Sequence, residues 1–132
     1  PNQNGGNSDG FTTNFGAGLT SYIDCISNNN GDDGFDCWHA GAMVYYYYTV
    51  ARNNAQVAGK TNDGNGNGYK LGELSAGQKF WKAKAQNNTE GGWVKNGTAG
   101  TYPDPVLAGP CIGGGNGLGN ALYFTPIAGS IV

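Results

Sequence analysis

Charge is what this sequence has least of. Only 12% of its 132 residues are Asp, Glu, Lys or Arg, about half of the ~25% usual in soluble domains. A chain kept open by self-repulsion needs more charge than this, so disorder is disfavoured. Seven Lys and Arg with a net charge of −2 leave too few cations for the basic stripe that a phosphate backbone requires, which argues against a nucleic-acid partner. Histidine is nearly absent. His39 stands alone, and none of the three cysteines falls in a C-x-x-C pair, so a zinc site has no ligand set. No apolar run approaches the ~18–20 residues that cross a bilayer as a helix. The chain begins PNQNGGNSDG, which reads as a mature or trimmed end, and any membrane contact is expected only through an N-terminal segment removed from it.

Catalytic signatures are missing too. There is no G-x-S-x-G, no Walker loop and no dinucleotide fingerprint, and the run from Gly113 to Gly119 lacks the Lys-Ser/Thr of a phosphate loop. Cys37 and His39, two residues apart, would point to different sides of a helix, a poor dyad. No spacing singles out a carboxylate pair among nine acidic residues. The expectation is a protein that is not an enzyme.

Glycine and asparagine take the place of charge. There are 25 glycines, and Asn-Gly pairs recur at 4–5, 65–66, 67–68, 96–97 and 116–117. Both residues favour turns and left-handed backbone, so much ordered loop is expected. Three Trp, eight Tyr and five Phe supply the apolar material of a core that disordered chains lack. One domain over 1–132 fits the length, with 1–16 as an irregular lead-in and an extracellular or cell-surface setting.

Leu19, Tyr22, Ile23 and Ile26 follow the spacing of one helix face, ending at the stop Ser27-Asn28-Asn29-Asn30-Gly31. Asp36 is placed to cap a second helix to about Asn54, although 44–50, with four consecutive tyrosines, has equal claim to be a strand. A third helix is expected over 73–85, with Lys79, Lys82 and Lys84 toward its C-terminal half. From Gly91 on, Gly92–Val94, Tyr102–Leu107 and Leu122–Val132 read as short strands. No internal repeat is evident. Helices before strands predict an α+β fold, a helical N-terminal half packed on a small antiparallel sheet, rich in loops.

Three regions are candidate sites. Trp38, Tyr45, Tyr46, Tyr47 and Tyr48 form an aromatic band, either an exposed contact surface between copies of the chain or the buried central element. Cys25 and Cys37 close a short loop and are the expected disulfide, with Cys37–Cys111 or three reduced thiols as the alternatives. Asp63, Asn65, Asn67, the Tyr69 carbonyl and Glu73 place oxygens at alternating positions around Gly68, as a calcium loop does; calcium takes about six to eight such hard oxygens. A plain Gly/Asn turn is the other reading. Asn30, Asp32, Asp33 and Asp36 form a second oxygen-rich cluster, read as a solvated turn with a helix cap.

The segment NDGNGNGYKLGELSAGQKFWKAKA (62–85) resembles the loop and Phe-Trp helix of bacterial type IV pilin-like proteins and type II secretion pseudopilins. GLGNALYFTP is similar to their Gly-rich C-terminal strands. The resemblance implies an ectodomain that packs on a long N-terminal helix, assembles into a filament or pseudopilus, and holds calcium in a loop, here through Asp63, Asn65, Asn67 and Glu73. The early apolar helix of that family is absent from this sequence. The alternative is a small secreted glycan- or protein-binding module, with Trp38, Trp81, Trp93 and the tyrosines stacking on sugar rings.

Overall fold

The computed structural model of the chain describes residues 8–15, 18–38, 42–56, 64–71, 77–95, 106–107 and 109–118. Among them there is no helix. Twelve short strands carry the fold: β1 (Phe11–Asn14), β2 (Thr20–Ile23), β3 (Ile26–Asn28), β4 (Phe35–Trp38), β5 (Val44–Tyr47), β6 (Val50–Arg52), β7 (Tyr69–Leu71), β8 (Gln78–Trp81), β9 (Lys84–Gln86), β10 (Trp93–Lys95), β11 (Val106–Leu107) and β12 (Ile112–Gly114).

Each strand from β1 to β9 pairs with the strand three places later, always in parallel. The first sheet is β1-β4-β7-β10, the second β2-β5-β8-β11 and the third β3-β6-β9-β12. The chain therefore crosses all three sheets in turn, returns to the first one layer on, and repeats. Over the described residues the result is a three-sided parallel β-solenoid of four rungs, in which each rung contacts chiefly its neighbours.

The α+β expectation is overturned, and the reasons are local. β5 buries Val44 and Tyr46 and leaves Tyr45 and Tyr47 half-buried on the outside, so Tyr45 to Tyr47 alternate as a strand does, and Tyr48 follows at the corner, exposed. Asp36 caps nothing: it lies within β4, in register with Lys70 of β7. The Phe80-Trp81 pair belongs to β8, with Phe80 inward and Trp81 outward. The helix-like spacing at 19–26 arises because Asp24 turns a corner between β2 and β3 with φ 52°. Tyr22 points inward there, while Ile23 and Ile26 are exposed. The strand expected at Gly92–Val94 is present as β10. The one expected at Leu122–Val132 lies outside the described residues.

Two corners recur in left-handed backbone. Asp24, Tyr48 and Lys82 occupy the corner between the second and third sheets, and Asn29, Asn53, Asn87 and Gly115 the end of the third. Asn, Asp and Gly enter this region at little cost, whereas Tyr48 and Lys82 each bear a strain of roughly 1–2 kcal/mol. On the fourth rung the residue before Cys111 is Pro110, whose ring fixes a negative φ and breaks the series.

Ladders of like residues fill the interior. Phe11, Phe35, Tyr69 and Trp93 stack with centroids 4.9, 5.0 and 5.4 Å apart and planes within 9°, close to the strand spacing of about 4.8 Å. A second column, Tyr22–Tyr46–Phe80, stacks beside it at 5.4 and 4.5 Å, and the two columns meet edge to face, as at Phe35–Tyr46 (87°). These columns leave room only for small inward residues on the third sheet, where Ser27, Ala51 and Ala85 align.

At the turn back to the first sheet, Asn30, Asn54, Asn88 and Asn116 form a ladder. The Nδ2 of each of the first three donates to the Oδ1 of the next, at 2.9, 2.7 and 2.8 Å. Such amides, buried between rungs, cost little only because each finds its partner. The glycine before each stacked ring lets the ladder close in: a Cβ on Gly34 would lie 2.7 Å from Asn54 Nδ2 and 2.6 Å from the Gly68 carbonyl. An internal repeat is thus present. It is hidden because successive ladder asparagines are 24, 34 and 28 residues apart.

Candidate functional site

The loop expected to clasp calcium folds against the other oxygen-rich segment. The Asn65 backbone N–H donates to Asp32 Oδ1 at 2.7 Å, and the Asn67 N–H to Asp33 Oδ1 at 2.7 Å. The Asn67 side chain is buried: its Nδ2 donates to the same Asp33 oxygen at 3.0 Å, and its Oδ1 accepts from the Gly91 N–H at 3.1 Å. The loop therefore offers hydrogen atoms to the carboxylates of 32 and 33. Tyr69 opens β7 with its ring in the core, its hydroxyl 2.9 Å from Thr49 Oγ1 and donating to the Lys84 carbonyl at 3.1 Å. Asp63 and Glu73, with His39, lie outside the described residues.

What these contacts build is an acid corner between the third and first sheets. Carboxylate oxygens of Asp9, Asp32 and Asp33 lie within 4.8 Å of one another. Asp33 is fully buried and Asp36 nearly so. Lys70 reaches both, with Nζ 3.1 Å from Asp33 Oδ2 and 3.4 Å from Asp36 Oδ2. Asp9 accepts from the Asp33 N–H at 3.1 Å and from Thr12 Oγ1 at 3.2 Å. Burial, then repulsion from Asp36 and Asp32, pushes the Asp9 carboxyl up to about 6. Burial also lifts Asp33 to about 6, against the pull of Lys70, and raises Asp36. Burial opposes the Lys70 charge, but Asp33 and Asp36 outweigh it and raise its pKa.

The cysteines form no disulfide. Cys37 is buried on the first sheet and accepts from Gln78 Nε2 at 3.2 Å. Cys25 stands at the corner before β3, its thiol toward the Ile23 carbonyl at 3.3 Å. Burial raises the pKa of the Cys111 thiol.

The aromatic band divides in three. Tyr46 is core. Trp38 lies outward on the first sheet, tilted against Phe15 with centroids 6.3 Å apart. Tyr45, Tyr47 and Tyr48 share the outer side of the second sheet, where the rings of Tyr45 and Tyr47 are parallel within 4° at 5.9 Å. Trp81 is in register with Tyr47, and Ile23 flanks Tyr47 on its other side. Tyr48 is 50% and Trp81 38% exposed, so large apolar surface meets water here on two adjacent rungs. A Cβ on Gly109 would sit 2.5 Å from the indole of Trp81, so this glycine lets the chain pass close over the ring. Trp93, the third tryptophan, is buried in the core.

Cations interleave with these rings. Lys79 is in register with Tyr45, Lys82 lies 5.4 Å over the Tyr48 ring, and Lys84 stands beside Val50. Arg52 ends β6, outward and exposed. The sequence did name Trp81 as a ring for sugars. It hid the lysines, whose 79, 82, 84 spacing reads as helix polarity until the left-handed corner at Lys82 turns all three outward.

Comparisons with protein-family models, curated proteins and solved structures gave no match for this chain. Its fold and surfaces stand as the basis for a functional reading, and they define the class: a short parallel β-solenoid with an aromatic outer face.

Proposed function

We propose that the chain is an extracellular β-solenoid module that binds a polysaccharide on the outer face of its second sheet, without turning it over. The observation that carries this reading is the set Tyr45, Tyr47, Tyr48 and Trp81, held outward on adjacent rungs of a rigid scaffold. Monomers rarely leave rings of this size in water unless they are used, and tyrosine and tryptophan combine apolar faces with polar tips that suit the C–H faces and hydroxyls of a sugar. Parallel strands joined by internal ladders hold the rings in place before binding, which lowers the entropic cost of capture. Retention on immobilised polysaccharides, neutral and charged, tests it. Trp81→Ala should lose retention while still folded by circular dichroism; unchanged retention would contradict the reading.

Calcium enters this reading at the acid corner. Asp9, Asp32 and Asp33 supply hard carboxylate oxygens, the donors that calcium takes, and Lys70 offsets only part of the charge that they and Asp36 carry. A melting temperature lowered by EGTA in wild type but not in Asp32→Asn supports it, and identical melts with and without EGTA remove it.

One feature favours assembly as a second reading. Among the described residues, β1, β2 and β3 each have a neighbour on one side only, so a second copy has three parallel edges on which to stack as a filament would. The Thr20 and Asp24 amides bond back to the Met43 and Tyr47 carbonyls, and the amide of Ser21 faces the other way. Ser21→Pro should therefore block stacking and spare the fold. Sedimentation identical for wild type and Ser21→Pro would contradict assembly through this edge.

A further inference from the structure

We infer that the polysaccharide bound on this face is anionic, a polymer of carboxylated or sulfated sugars lying across the third rung and around its corner. The inference rests on the proposed glycan-binding reading and adds the chemistry of the ligand. The chain is acidic in total, with a net charge of −2 and seven Lys and Arg. Yet Lys79, Lys82 and Lys84, three of those cations, stand exposed around the corner between the second and third sheets, and Arg52 is exposed at the far end of β6. Among the described residues, most of the acids sort away from them. Asp9, Asp32, Asp33 and Asp36 gather at the other corner about Lys70. Glu90 accepts from the Asn65 side chain at 3.4 Å. Among the described acids, only Asp24 shares the corner column, one rung beyond Tyr48 and two from Lys82.

The spacing ties the charges to the rings. Lys79, Lys82 and Lys84 follow one another along a single rung, before, at and after its corner. Tyr45, Tyr47 and Tyr48 line the neighbouring rung, with Lys79 paired to Tyr45 and Lys82 over Tyr48. A sugar stacked on these rings cannot avoid the ammonium groups. A neutral polymer would replace their water only with hydroxyl acceptors, whereas a carboxylate or sulfate replaces it with a stronger, charge-assisted bond. The local positive field would also draw an anionic chain to the face against the protein's net charge.

Affinity electrophoresis separates the outcomes. Wild type runs through gels that contain hyaluronan, dextran sulfate, neutral dextran or single-stranded DNA. The expected result is strong retardation by hyaluronan or dextran sulfate, the stronger of the two naming the anion, little by dextran, and a loss of retardation as salt rises from about 50 to about 500 mM. The Lys79→Ala/Lys82→Ala/Lys84→Ala variant should bind the charged polymers about tenfold or more weakly with a wild-type melting temperature, and Trp81→Ala should weaken them too while still folded by circular dichroism. Equal, salt-insensitive retardation by dextran and hyaluronan would overturn the anionic assignment and leave the glycan reading standing. Retardation by none of the polymers would overturn both. Retardation by single-stranded DNA and hyaluronan alike, untouched by Trp81→Ala, would show attraction by charge alone and overturn the assignment as well.

Discussion

At the corner between the third and first sheets, Lys70 lies 3.1 Å from Asp33 and 3.4 Å from Asp36, largely shielded from water. At the corner between the second and third sheets, Lys79, Lys82 and Lys84 stand in water beside tyrosine and tryptophan rings. The same residue type serves opposite ends. A buried ammonium among carboxylates is spent on the fold, since its removal would leave charge stranded at low dielectric. An exposed ammonium beside a ring contributes little to folding and stays available to a ligand. Charge that is satisfied inside the chain serves the structure here, and the proposed binding face is where charge faces outward over apolar rings.

The largest expected effect breaks that contrast at its buried end. Lys70→Met leaves Asp33 and Asp36 without their cation and should cost about 3–5 kcal/mol in urea unfolding. A cost below that of a surface substitution would mean the acid corner does not depend on the lysine. Asn54→Leu, in the ladder that ties the second rung to the third, takes one acceptor from the Asn30 amide, which keeps Ser27 Oγ, and one donor from Asn88 Oδ1, which keeps the backbone N–H of residue 54. Lost buried hydrogen bonds cost about 1–3 kcal/mol, so a loss of about 2 kcal/mol is expected, measured in the same way.

The acid corner also sets a pH dependence of unusual sign. Asp9 and Asp33 hold their protons to about 6 in the folded chain, against 3.8 ordinarily, and Asp36 is raised as well. The native state thus keeps protons that the unfolded chain releases between 3.8 and about 6. This stability is fully present below that window and is lost as pH rises through it. The urea midpoint should be higher at pH 4 than at pH 7, and bound calcium, which favours the ionised carboxylates, should flatten or reverse the slope. A midpoint that climbs steadily from pH 4 to pH 7 in EGTA would contradict the assignment. Smallest of all, Lys79→Ala, Lys82→Ala and Lys84→Ala should each change stability by no more than about 0.5 kcal/mol. Lys82→Ala would sharpen the contrast further, since it removes a cation at a corner where φ is 52°.

Part of this was legible in the amino acids. The Gly/Asn content announced ordered turns, the aromatic count announced a core, and both oxygen-rich segments were visible at 30–36 and 63–73. Their contact with each other was not, because nothing local to Asp32 or Asp33 points to the amides of Asn65 and Asn67. The solenoid itself was masked by two features. Rungs of unequal length hide the recurrence of Asn-Asn before a glycine and a ring, at Asn29-Asn30, Asn53-Asn54 and Asn87-Asn88. The left-handed corners at Asp24, Tyr48 and Lys82 reset the inside–outside alternation every few residues, so strands of three or four residues imitate the spacing of a helix. The four tyrosines show the same effect: read as a block they suggest one band, whereas the pleat sends Tyr46 into the core and its neighbours out.

The most direct test is an NMR titration of the labelled protein with hyaluronan oligosaccharides, or with sulfated ones if those bind better. The account predicts amide and ring shifts confined to Tyr45, Tyr47, Tyr48, Lys79, Trp81, Lys82 and Lys84, with Asp9, Asp32, Asp33 and Lys70 unmoved. Shifts centred on the acid corner, or none at saturating oligosaccharide, would contradict it.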